Sequence, residues 1–253
     1  MADISDEITR SRFESLDLRI ETKPDNTPVT DADRAVEKKI RELLGAERPN
    51  DLIIGEEFGT DELDGKSHYW VVDPIDGTKN FLRGVPTWGT LIALIDPENK
   101  TAVGLVSAPS LFRRWFAARG TGAFRTVNNS QPQQIHVSEI KELANASLSY
   151  SDLLGWGDKY QPFLELQNEV NRVRGLGDFW SHMLVAEGAV EIAIEPKLAV
   201  WDMAALDIIV TEAGGRFSNT DGQDGPHGGS GVSTNGFLHN QVIDRLNSHR
   251  NGI

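Results

Sequence analysis

The pattern of apolar and polar positions changes character near residue 138. Before that point, several short runs alternate apolar with polar residues and are separated by turn residues, which predicts an antiparallel meander. Its strands are expected at 88–95, 102–106, 114–118 and 123–126. After that point, strand-like and helix-like segments follow one another, a rhythm that is typical of an α/β layer. We therefore predict an α+β half at residues 1–138 and an α/β half at residues 139–253.

Helical periodicity is found in both halves of the chain. An amphipathic helix is predicted over 1–15, and an alternating strand over 16–20 follows it. A second helix is predicted over 31–46. Its buried face is expected to consist of Ala35, Val36, Ile40 and Leu43. In the second half, the predicted helices are 159–171, 178–188 and 202–213, and the predicted strands are 147–150, 172–176 and 190–194.

Composition narrows the range of functions. The chain has no cysteine, which excludes disulfides, thiolate metal sites and phosphatases with a cysteine nucleophile. The first ten residues carry three acidic residues and no apolar core, so they resemble neither a signal peptide nor a transit peptide. The longest apolar runs, such as 91–95, are too short to span a bilayer. We therefore expect a cytoplasmic protein that has no membrane partner.

The formal net charge of −13 constrains the ligands of the protein. A surface this acidic repels nucleic acids and anionic membranes, and no basic stripe offsets the charge. It also repels a phosphate ester. If the substrate is a phosphate, the site needs a positive group, and the chain has too few clustered lysine and arginine residues to supply one. A bound metal ion is the expected source of that charge.

The segment that follows Trp70 joins a buried strand to a turn with two carboxylates. An apolar strand delivers Asp73 at its end, and Pro74 keeps Asp73 extended while the chain turns. Asp76 can then point back toward Asp73, and the carbonyl of Ile75 offers a third oxygen. Carboxylate and carbonyl oxygens in this arrangement are the ligands that a hard cation prefers.

Two residues beyond the carboxylates suit phosphate oxygens. The backbone N–H groups of Gly77 and Thr78 are free where a helix would start, and such groups bind anions. The dipeptides Asp-Pro and Asp-Gly also mark turns, and each one alone would indicate only a turn. Their position directly behind a buried strand favours a functional site.

Four further acidic residues follow the same logic, and each also has a structural explanation. Glu56 and Glu57 end another apolar strand and could form a solvated loop end. Asp202 opens a predicted helix and could be its N-cap. Asp33 occupies the third position of a predicted helix, as in a capping box, which explains it unless it lies beside Thr78.

Together these motifs resemble the inositol-monophosphatase superfamily. The matching segments are Gly55-Glu56-Glu57, Asp73-Pro74-Ile75-Asp76-Gly77-Thr78-Lys79-Asn80-Phe81, Trp201-Asp202-Met203-Ala204-Ala205 and Glu212-Ala213-Gly214-Gly215. They occur in order along almost the whole chain, and Val29-Thr30-Asp31-Ala32-Asp33 precedes them. The resemblance implies a layered αβαβα sandwich of α+β and α/β character, assembled as a homodimer.

The resemblance also implies roles for single residues. The ligands of two or three Mg²⁺ ions would be Glu56, Asp73, the carbonyl of Ile75, Asp76 and Asp202. Thr78, supported by Asp33, would orient or deprotonate the attacking water, and we include Glu57 among the candidate catalytic residues. Gly77 and Thr78 would bind phosphate. An all-oxygen ligand set favours Mg²⁺, with Mn²⁺ as a substitute, over Zn²⁺.

The segment 174–180 bears on the substrate. At this place the inositol phosphatases of the superfamily have a glycine followed by small residues. In this sequence Asp178 is followed by two aromatic residues, which resembles the histidinol-phosphate phosphatases of the superfamily. Asp178 and Glu195 suit a leaving alcohol with an ammonium group, and Trp180, with Phe179 nearby, can stack on an imidazole. Arg174 completes the candidate substrate-binding residues. Alternatively, Asp178 could cap its helix while the aromatic residues lie in the core.

We therefore expect a Mg²⁺-dependent phosphomonoesterase that hydrolyses L-histidinol phosphate, a small-molecule ester, and that binds no nucleic acid. One alternative on the same scaffold is an inositol-1-phosphate or broad sugar-phosphate phosphatase. An alternative of another class is a metal-binding homologue without turnover. The complete set of ligands and catalytic residues argues against the last alternative.

Overall fold

The N-terminal segment forms two helices separated by a two-stranded ribbon. The computed structural model describes residues 1–24 and 26–248, so residues 249–253, at the end of the predicted C-terminal half, lie outside the described residues. The elements are α1 (Ala2–Arg12), β1 (Ile20–Thr22), β2 (Pro28–Thr30) and α2 (Asp31–Glu47). The two strands of the ribbon pair antiparallel.

The strand predicted over 16–20 is wrong. The chain bends there around Arg12, whose Nη1 lies 2.8 Å from Asp17 Oδ1 and whose Nη2 donates to the carbonyl of Asp17 at 3.0 Å. Leu16 is fully exposed as a result. An alternation of apolar residues here reflects a turn rather than a strand.

The second predicted helix is confirmed, but its buried face differs from the prediction. The buried apolar residues of α2 are Ala32, Val36, Ile40 and Leu44. Because these residues follow i, i+4 spacing, Ala35 points to solvent and Leu43 is only half-buried.

Eight strands form a mixed sheet that contains the predicted meander. The elements are β3 (Leu52–Gly55), β4 (Gly59–Thr60), β5 (Tyr69–Asp76), α3 (Thr78–Leu82), β6 (Gly89–Ile95), β7 (Thr101–Ala108), β8 (Arg113–Ala118), β9 (Ala123–Val127) and β10 (Gln133–Ile135). The strand order is β10-β9-β8-β7-β6-β5-β3-β4. Strands β6 to β9 pair antiparallel, which confirms the meander, whereas β3 runs parallel to β5.

Five strands form a second mixed sheet in the order β12-β11-β13-β15-β14. The elements are β11 (Ser147–Tyr150), α4 (Tyr160–Glu169), β12 (Arg172–Arg174), α5 (Asp178–Ala186), β13 (Ile192–Glu195), α6 (Val200–Glu212), β14 (Arg216–Ser218), β15 (Gly231–Thr234) and α7 (His239–Leu246). Strand β11 runs parallel to both β12 and β13, and β15 runs antiparallel to β13 and β14.

Helices and sheets alternate in five layers. Helices α1 and α2 cover the outer face of the larger sheet, where Val36 and Ile40 pack on Ile53 and Val72. Helices α5 and α6 lie between the two sheets, and α4 and α7 cover the outer face of the smaller sheet. This arrangement confirms the αβαβα sandwich.

The main core lies between the two sheets and draws on both halves of the chain. Trp115 and Val106 enter it from the larger sheet, Met203 and Leu206 from α6, and Phe217 from the smaller sheet. Because both halves contribute to this core, the division near residue 138 stays a prediction. None of the described helices is long and apolar enough to cross a membrane.

Candidate active site

Three aspartates meet where β5 ends and α6 begins. Asp73 and Asp76 come from β5, and Asp202 comes from the first turn of α6. One carboxylate oxygen of each residue lies within 4.8 Å of the other two. The structure thus brings three of the predicted metal ligands together as a group that is able to hold a metal ion. We call these three residues the aspartate group.

Backbone geometry explains why Asp73 and Asp76 approach each other. The pairing of β5 with β6 shifts register between these two residues, so they do not follow the strict alternation of a regular strand. Thr90 Oγ1 donates to the carbonyl of Pro74 at 2.8 Å and fixes the irregular stretch. The Asp-Pro-Ile-Asp segment is therefore a held bend rather than a simple turn.

Asp202 combines a structural and a functional position. The sequence predicted that Asp202 is the first residue of its helix. Helix α6 begins at Val200 instead, so Asp202 is its third residue. Its Oδ2 accepts the backbone N–H of Ala199 at 2.7 Å, which satisfies a donor at the helix start. The same carboxylate belongs to the aspartate group.

The electrostatics of the aspartate group suit a bound cation. Asp73 is 2% exposed, and its Oδ1 has no hydrogen-bond partner among the described residues. Burial, followed by the charges of Glu56, Asp76 and Asp202, raises the pKa of Asp73 well above its usual value. Burial and neighbouring carboxylates also raise the pKa of Asp76, and they raise that of Asp202 to about 6. A buried carboxylate oxygen without a donor, among like charges, fits a hard divalent cation.

Glu56 and Glu57 follow β3 and share one ammonium group. Lys23 Nζ, from the ribbon, lies 2.7 Å from Glu56 Oε1 and 2.5 Å from Glu57 Oε1. Burial lowers the pKa of Lys23, but its bonds to the two glutamates raise it more. Burial raises the pKa of Glu57 to about 7, against the opposing effect of Lys23. Glu56 is not in the aspartate group, yet its charge acts directly on Asp73.

The loop that carries both glutamates is held by Glu37 of α2. The Glu37 side chain is fully buried and accepts the backbone N–H of Glu57 at 2.7 Å and that of Phe58 at 3.2 Å. Arg41 Nε donates to Glu37 Oε1 at 2.9 Å. A Cβ atom on Gly55 would lie 1.9 Å from Glu37 Oε1. The glycine of the Gly-Glu-Glu motif is therefore required by the close approach of Glu37.

Asp33 lies beside Thr78 and also caps its own helix. Its Oδ2 accepts the backbone N–H of Thr30 at 2.8 Å and the Thr30 hydroxyl at 2.5 Å, which completes a capping box. Its Oδ1 lies 3.4 Å from Thr78 Oγ1, which also donates to the carbonyl of Ile75 at 2.9 Å. Burial raises the pKa of Asp33 to about 6. The structural explanation and the catalytic prediction are therefore compatible.

Gly77 is the N-cap of α3 and has a φ of 82°, a conformation that glycine adopts readily and other residues avoid. A Cβ atom there would also lie 2.8 Å from the carbonyl oxygen of Thr87. The first N–H groups of a helix have no acceptor within the helix, so those of Gly77 and Thr78 suit an anion. Phosphate binding by these two residues stays a prediction.

Asp178 and Glu195 are linked through Ser151. Ser151 Oγ accepts the backbone N–H of Asp178 at 2.7 Å and donates to Glu195 Oε1. Burial raises the pKa of Glu195 to about 8, and burial also raises that of Asp178 against the effect of Lys79. The charge of Asp178 in turn raises the pKa of Asp76. The two carboxylates therefore lie next to the aspartate group.

Asp178 is not the cap of its helix. Gly177 is the N-cap of α5, and the N–H groups of Asp178 and Phe179 at the helix start donate to the side chains of Ser151 and Asp76. Asp178 Oδ2 instead accepts a hydrogen bond from Asn80 Nδ2 at 2.9 Å. The capping explanation of Asp178 is thus wrong.

The remaining candidate substrate residues have different surroundings. Phe179 is 1% exposed in the main core beside Trp115, as the alternative that places the aromatic residues in the core expected. Its backbone N–H donates to Asp76 Oδ2 at 2.7 Å. Trp180 is half-buried against the same core. Arg174 is exposed on β12, and its Nη1 donates to the carbonyl of the preceding residue. Substrate contacts by Trp180 and Arg174 stay predictions.

Known proteins are similar to this chain over nearly its whole length. A sequence profile of the inositol monophosphatase family matches residues 1–251. The chain belongs to the inositol monophosphatase family. A histidinol-phosphatase from Mycobacterium tuberculosis is 57% identical over 251 residues, which cover 98% of this chain and 95% of that protein. A histidinol-phosphatase from Streptomyces coelicolor is 49% identical over 98% of this chain and 94% of its own length.

A solved structure of the extragenic suppressor protein suhB from Bartonella henselae is similar in fold. Its TM-score is 0.85 and its sequence identity is 28%, and the match covers 100% of this chain and 96% of that one. The five-layer arrangement is therefore shared with a protein of quite different sequence.

Sequence patterns do not reveal four residues that complete the site of this inositol monophosphatase family member. They are Lys23, Glu37, Asn80 and Ser151. Glu37 follows Asp33 by one helical turn on the buried face of α2, so its position gives a usable signal. Asn80 lies inside a family motif, but its partner Asp178 is 98 residues away. Lys23 and Ser151 lie in irregular segments and give no signal.

Proposed function

We propose that this chain is a metal-dependent phosphomonoesterase that hydrolyses L-histidinol phosphate to L-histidinol and inorganic phosphate. The observation that carries the substrate is the 57% identity with a histidinol-phosphatase over 98% of the chain. A match this extensive includes every residue of the candidate site. The geometry adds two carboxylates, Asp178 and Glu195, beside the aspartate group.

We propose that Asp73, Asp76 and Asp202 hold the metal, together with Glu56 and the carbonyl of Ile75. The donor set consists of oxygen atoms alone, which suits two or three Mg²⁺ ions, with Mn²⁺ as a substitute. When bound, such an ion neutralises phosphate charge and lowers the pKa of a coordinated water. The unpartnered Oδ1 of Asp73 supports this assignment.

Thr78 and Asp33 position the attacking water in this proposal. A hydroxyl can accept from water while it donates to a carboxylate, and Thr78 Oγ1 lies 3.4 Å from Asp33 Oδ1. The water oxygen attacks phosphorus and gives up one proton toward the Thr78–Asp33 pair, the bond between phosphorus and the alcohol oxygen breaks, and the departing oxygen takes up one proton, so that one water is consumed and the alcohol and inorganic phosphate are formed. Glu57, which shares Lys23 with Glu56, is the third candidate catalytic residue. The N–H groups of Gly77 and Thr78 hold phosphate oxygens.

Recognition of the alcohol falls to groups around the leaving oxygen, because metal ions treat all phosphate monoesters alike. Asp178 and Glu195 can pair with the α-ammonium group of histidinol, and the half-buried Trp180 can offer its face to the imidazole. Arg174, whose side chain is exposed on β12, is the remaining candidate substrate-binding residue. A neutral polyol gains hydrogen bonds from the same carboxylates but no charge pairing.

A substrate panel tests the proposal directly. Phosphate release is measured from histidinol phosphate, inositol 1-phosphate and glycerol 2-phosphate, in Mg²⁺ and again with excess EDTA. We expect the highest kcat/KM for histidinol phosphate and no turnover in EDTA. A preference for inositol 1-phosphate would favour the alternative function, that of an inositol-1-phosphate or broad sugar-phosphate phosphatase. Metal binding without release from any ester would make it a non-catalytic homologue.

Asp178→Asn tests the recognition of the ammonium group. A hydrogen bond to a charged group contributes about 1.5–3 kcal/mol, so its loss should lower kcat/KM for histidinol phosphate roughly ten- to a hundredfold. The loss for glycerol 2-phosphate should be much smaller. Asp152→Asn, a nearby exposed carboxylate, is the matched control and should change neither value appreciably. Equal losses on both esters would assign Asp178 to structure.

The same proposal extends to assembly and environment. We propose a homodimer that acts in the cytoplasm on a small-molecule ester, without nucleic acid or membrane partners. Light scattering coupled to size-exclusion chromatography tests the dimer, and a mass of 27.9 kDa in solution would contradict it.

A further inference from the structure

We call residues 77–82, which begin with the two residues proposed to bind phosphate, the phosphate turn. Asn80 connects this turn to one of the two carboxylates proposed to face the leaving alcohol. Its Nδ2 donates to Asp178 Oδ2 at 2.9 Å. The same amide nitrogen lies 3.0 Å from the carbonyl oxygen of Thr87 and 3.1 Å from Thr87 Oγ1. An amide NH₂ group has two hydrogens, so one can remain on Thr87 while the other holds Asp178. The side chain of Asn80 therefore has a fixed direction.

Asp178 is held in an unusual backbone conformation. Its φ is 49°, in the left-handed region that non-glycine residues occupy rarely and at an energetic cost. Its backbone N–H is fixed by Ser151 Oγ at 2.7 Å. Ser151 also bonds Glu195 Oε1, so the backbone of one carboxylate residue is tied to the carboxylate of the other. Such a conformation persists only where several contacts determine it together.

The contacts of Asp178 divide between its backbone and its side chain. Ser151 determines where the Asp178 backbone lies, and Asn80 determines how the carboxylate is turned. Because Asn80 occupies Oδ2, the other oxygen is left to accept from a ligand. Without Asn80, the carboxylate could rotate about its side-chain bonds, and the direction of its free oxygen would be lost.

The turn that contains Asn80 is also held by contacts that do not involve the amide. The carbonyl of Asn80 accepts the backbone N–H groups of Arg83 and Val85, each at 3.0 Å. Phe81, the next residue, is buried against Trp88 and anchors the turn to a separate apolar cluster. A purely structural explanation of the Asn80 side chain is therefore weaker than a role toward Asp178.

From these contacts we infer that Asn80 is a positioning residue for substrate specificity, whose amide turns the Asp178 carboxylate toward a cationic group of the leaving alcohol. This inference rests on the proposed function, since Asp178 must recognise an ammonium group for its direction to matter. It assigns to the phosphate turn a second task, which is to align the alcohol-binding carboxylate with the phosphate position.

The test compares two esters in the wild type, in three single variants and in an Asp178→Asn background. Asn80→Ala deletes the amide, and Asn80→Leu replaces it with an apolar side chain of similar size. Thr87→Val removes the hydroxyl acceptor of Asn80 but leaves the bond to Asp178, so it is the matched control. Together with the wild type, each protein is assayed on histidinol phosphate and on glycerol 2-phosphate, and its unfolding midpoint is measured.

The expected signature is a change in specificity. The ratio of kcat/KM for histidinol phosphate to that for glycerol 2-phosphate should fall roughly tenfold in both Asn80 variants, the scale of one hydrogen bond to a charged group. The fall should lie mainly in KM for histidinol phosphate, and the affinity for the product histidinol should fall by a similar factor. Thr87→Val should keep the wild-type ratio. In an Asp178→Asn background, Asn80→Ala should produce no further fall, because the pair acts as one unit.

The outcomes separate this inference from the function beneath it. If the wild type does not prefer histidinol phosphate, the proposed function fails. If the wild type prefers it and both Asn80 variants retain the wild-type ratio, Asn80 has no role in specificity. Equal losses on both esters in the Asn80 variants, with a lowered unfolding midpoint, would make Asn80 structural and would also overturn the inference.

Discussion

Glu187 and Asp73 both place a carboxylate in the protein interior, but the side chains that surround the two carboxylates differ. The side chain of Glu187, at the end of α5, is 6% exposed and accepts from Trp115 Nε1 at 2.6 Å. Arg113 and Arg125 form ion pairs with it from two neighbouring strands. Asp73 is buried just as deeply, but its neighbours are other carboxylates and its Oδ1 has no partner among the described residues.

The difference separates a structural charge from a ligand. A buried charge is tolerated when it is paired and hydrogen-bonded, and the chain supplies every partner that Glu187 needs. Around Asp73 the like charges accumulate instead, which is unfavourable in the protein alone and favourable only with a cation from solution. We therefore propose the cluster around Asp73 as the metal site, and four experiments test this contrast with Glu187.

The largest expected effect is that of Asp73→Asn on turnover. Removal of one electrostatic contributor to a transition state costs on the order of a hundred- to a thousandfold in rate, so kcat/KM should fall by that factor or more. Because the variant also removes a repelled charge, the metal-free protein should be no less stable than the wild type in urea unfolding. Glu62→Gln, an exposed carboxylate on an acidic loop, is the control. Wild-type activity in Asp73→Asn would reject the metal assignment.

Glu187→Gln should have the opposite profile. Two arginines lose their partner, and because their side chains are 31% and 30% exposed, we expect about 2–3 kcal/mol of lost unfolding free energy. The loss should be the same with and without Mg²⁺, and the Mg²⁺ concentration for half-maximal activity should not change. Urea unfolding at two Mg²⁺ concentrations measures both points. A Glu187→Gln protein that is stable but binds Mg²⁺ poorly would contradict the structural role of Glu187.

The third experiment follows the stabilisation by Mg²⁺ as the pH changes. The pKa of Asp202 is raised by burial from 3.8 to about 6, and burial also raises those of Asp73 and Asp76. In the metal-free protein, the stability linked to the Asp202 proton is complete below pH 3.8 and is lost as the pH rises through 6, and the raised pKa values of Asp73 and Asp76 act in the same direction. Mg²⁺ requires the ionised carboxylates, so it should stabilise the protein more at pH 7.5 than at pH 5, by roughly 1–3 kcal/mol.

The comparison with and without Mg²⁺ removes the effect of two buried histidines from this measurement. Burial lowers the pKa of His182 to about 3 and that of His239 to about 4, so these residues destabilise the protein as the pH falls below their unfolded values. Their effect is the same in both metal states and cancels in the difference. Equal stabilisation by Mg²⁺ at both pH values would show that the aspartate group does not hold the ion.

The layered fold and the aspartate group could be predicted largely from the sequence. The meander follows from period-two alternation, and Asp73 and Asp76 could be placed because one short motif contains strand, bend and ligands. Asp202 could be added only through the family resemblance, since no spacing rule joins it to β5. The turn around Arg12 could not be predicted, because a short apolar alternation does not distinguish a turn held by a side chain from a strand.

The supporting residues of the site could not be predicted because they depend on contacts between distant segments. Lys23 reaches Glu57 from the ribbon, and Asn80 reaches Asp178 across 98 residues. Phe179 shows the converse, since the sequence placed it near the candidate substrate residues and the fold buries its ring in the core. Local patterns indicate which residues carry chemistry, and packing decides which of them can reach a ligand.

The fourth experiment concerns Asp33. One oxygen of its carboxylate is hydrogen-bonded for structure, like that of Glu187, and the other faces a candidate catalytic residue. Its Oδ2 is satisfied by Thr30, as Glu187 is by its arginines, while its Oδ1 faces Thr78 at 3.4 Å. Asp33→Asn should cost about 1 kcal/mol of stability through the weakened cap. It should also lower kcat roughly tenfold or more, since Thr78 loses its charged acceptor.

Thr30→Val and Thr78→Ala distinguish the roles of the two carboxylate oxygens of Asp33. Thr30→Val removes a hydroxyl from the Oδ2 side only, so it should lower the unfolding free energy by about 1 kcal/mol and leave kcat nearly unchanged. Thr78→Ala should lower kcat with little effect on stability or on the Mg²⁺ requirement. Because Thr78 and Asp33 act on the same water, the double variant Asp33→Asn/Thr78→Ala should lose little more rate than the worse single variant. Simple addition of the two losses would show that they act separately, and full activity in Asp33→Asn would leave Asp33 with its capping role alone.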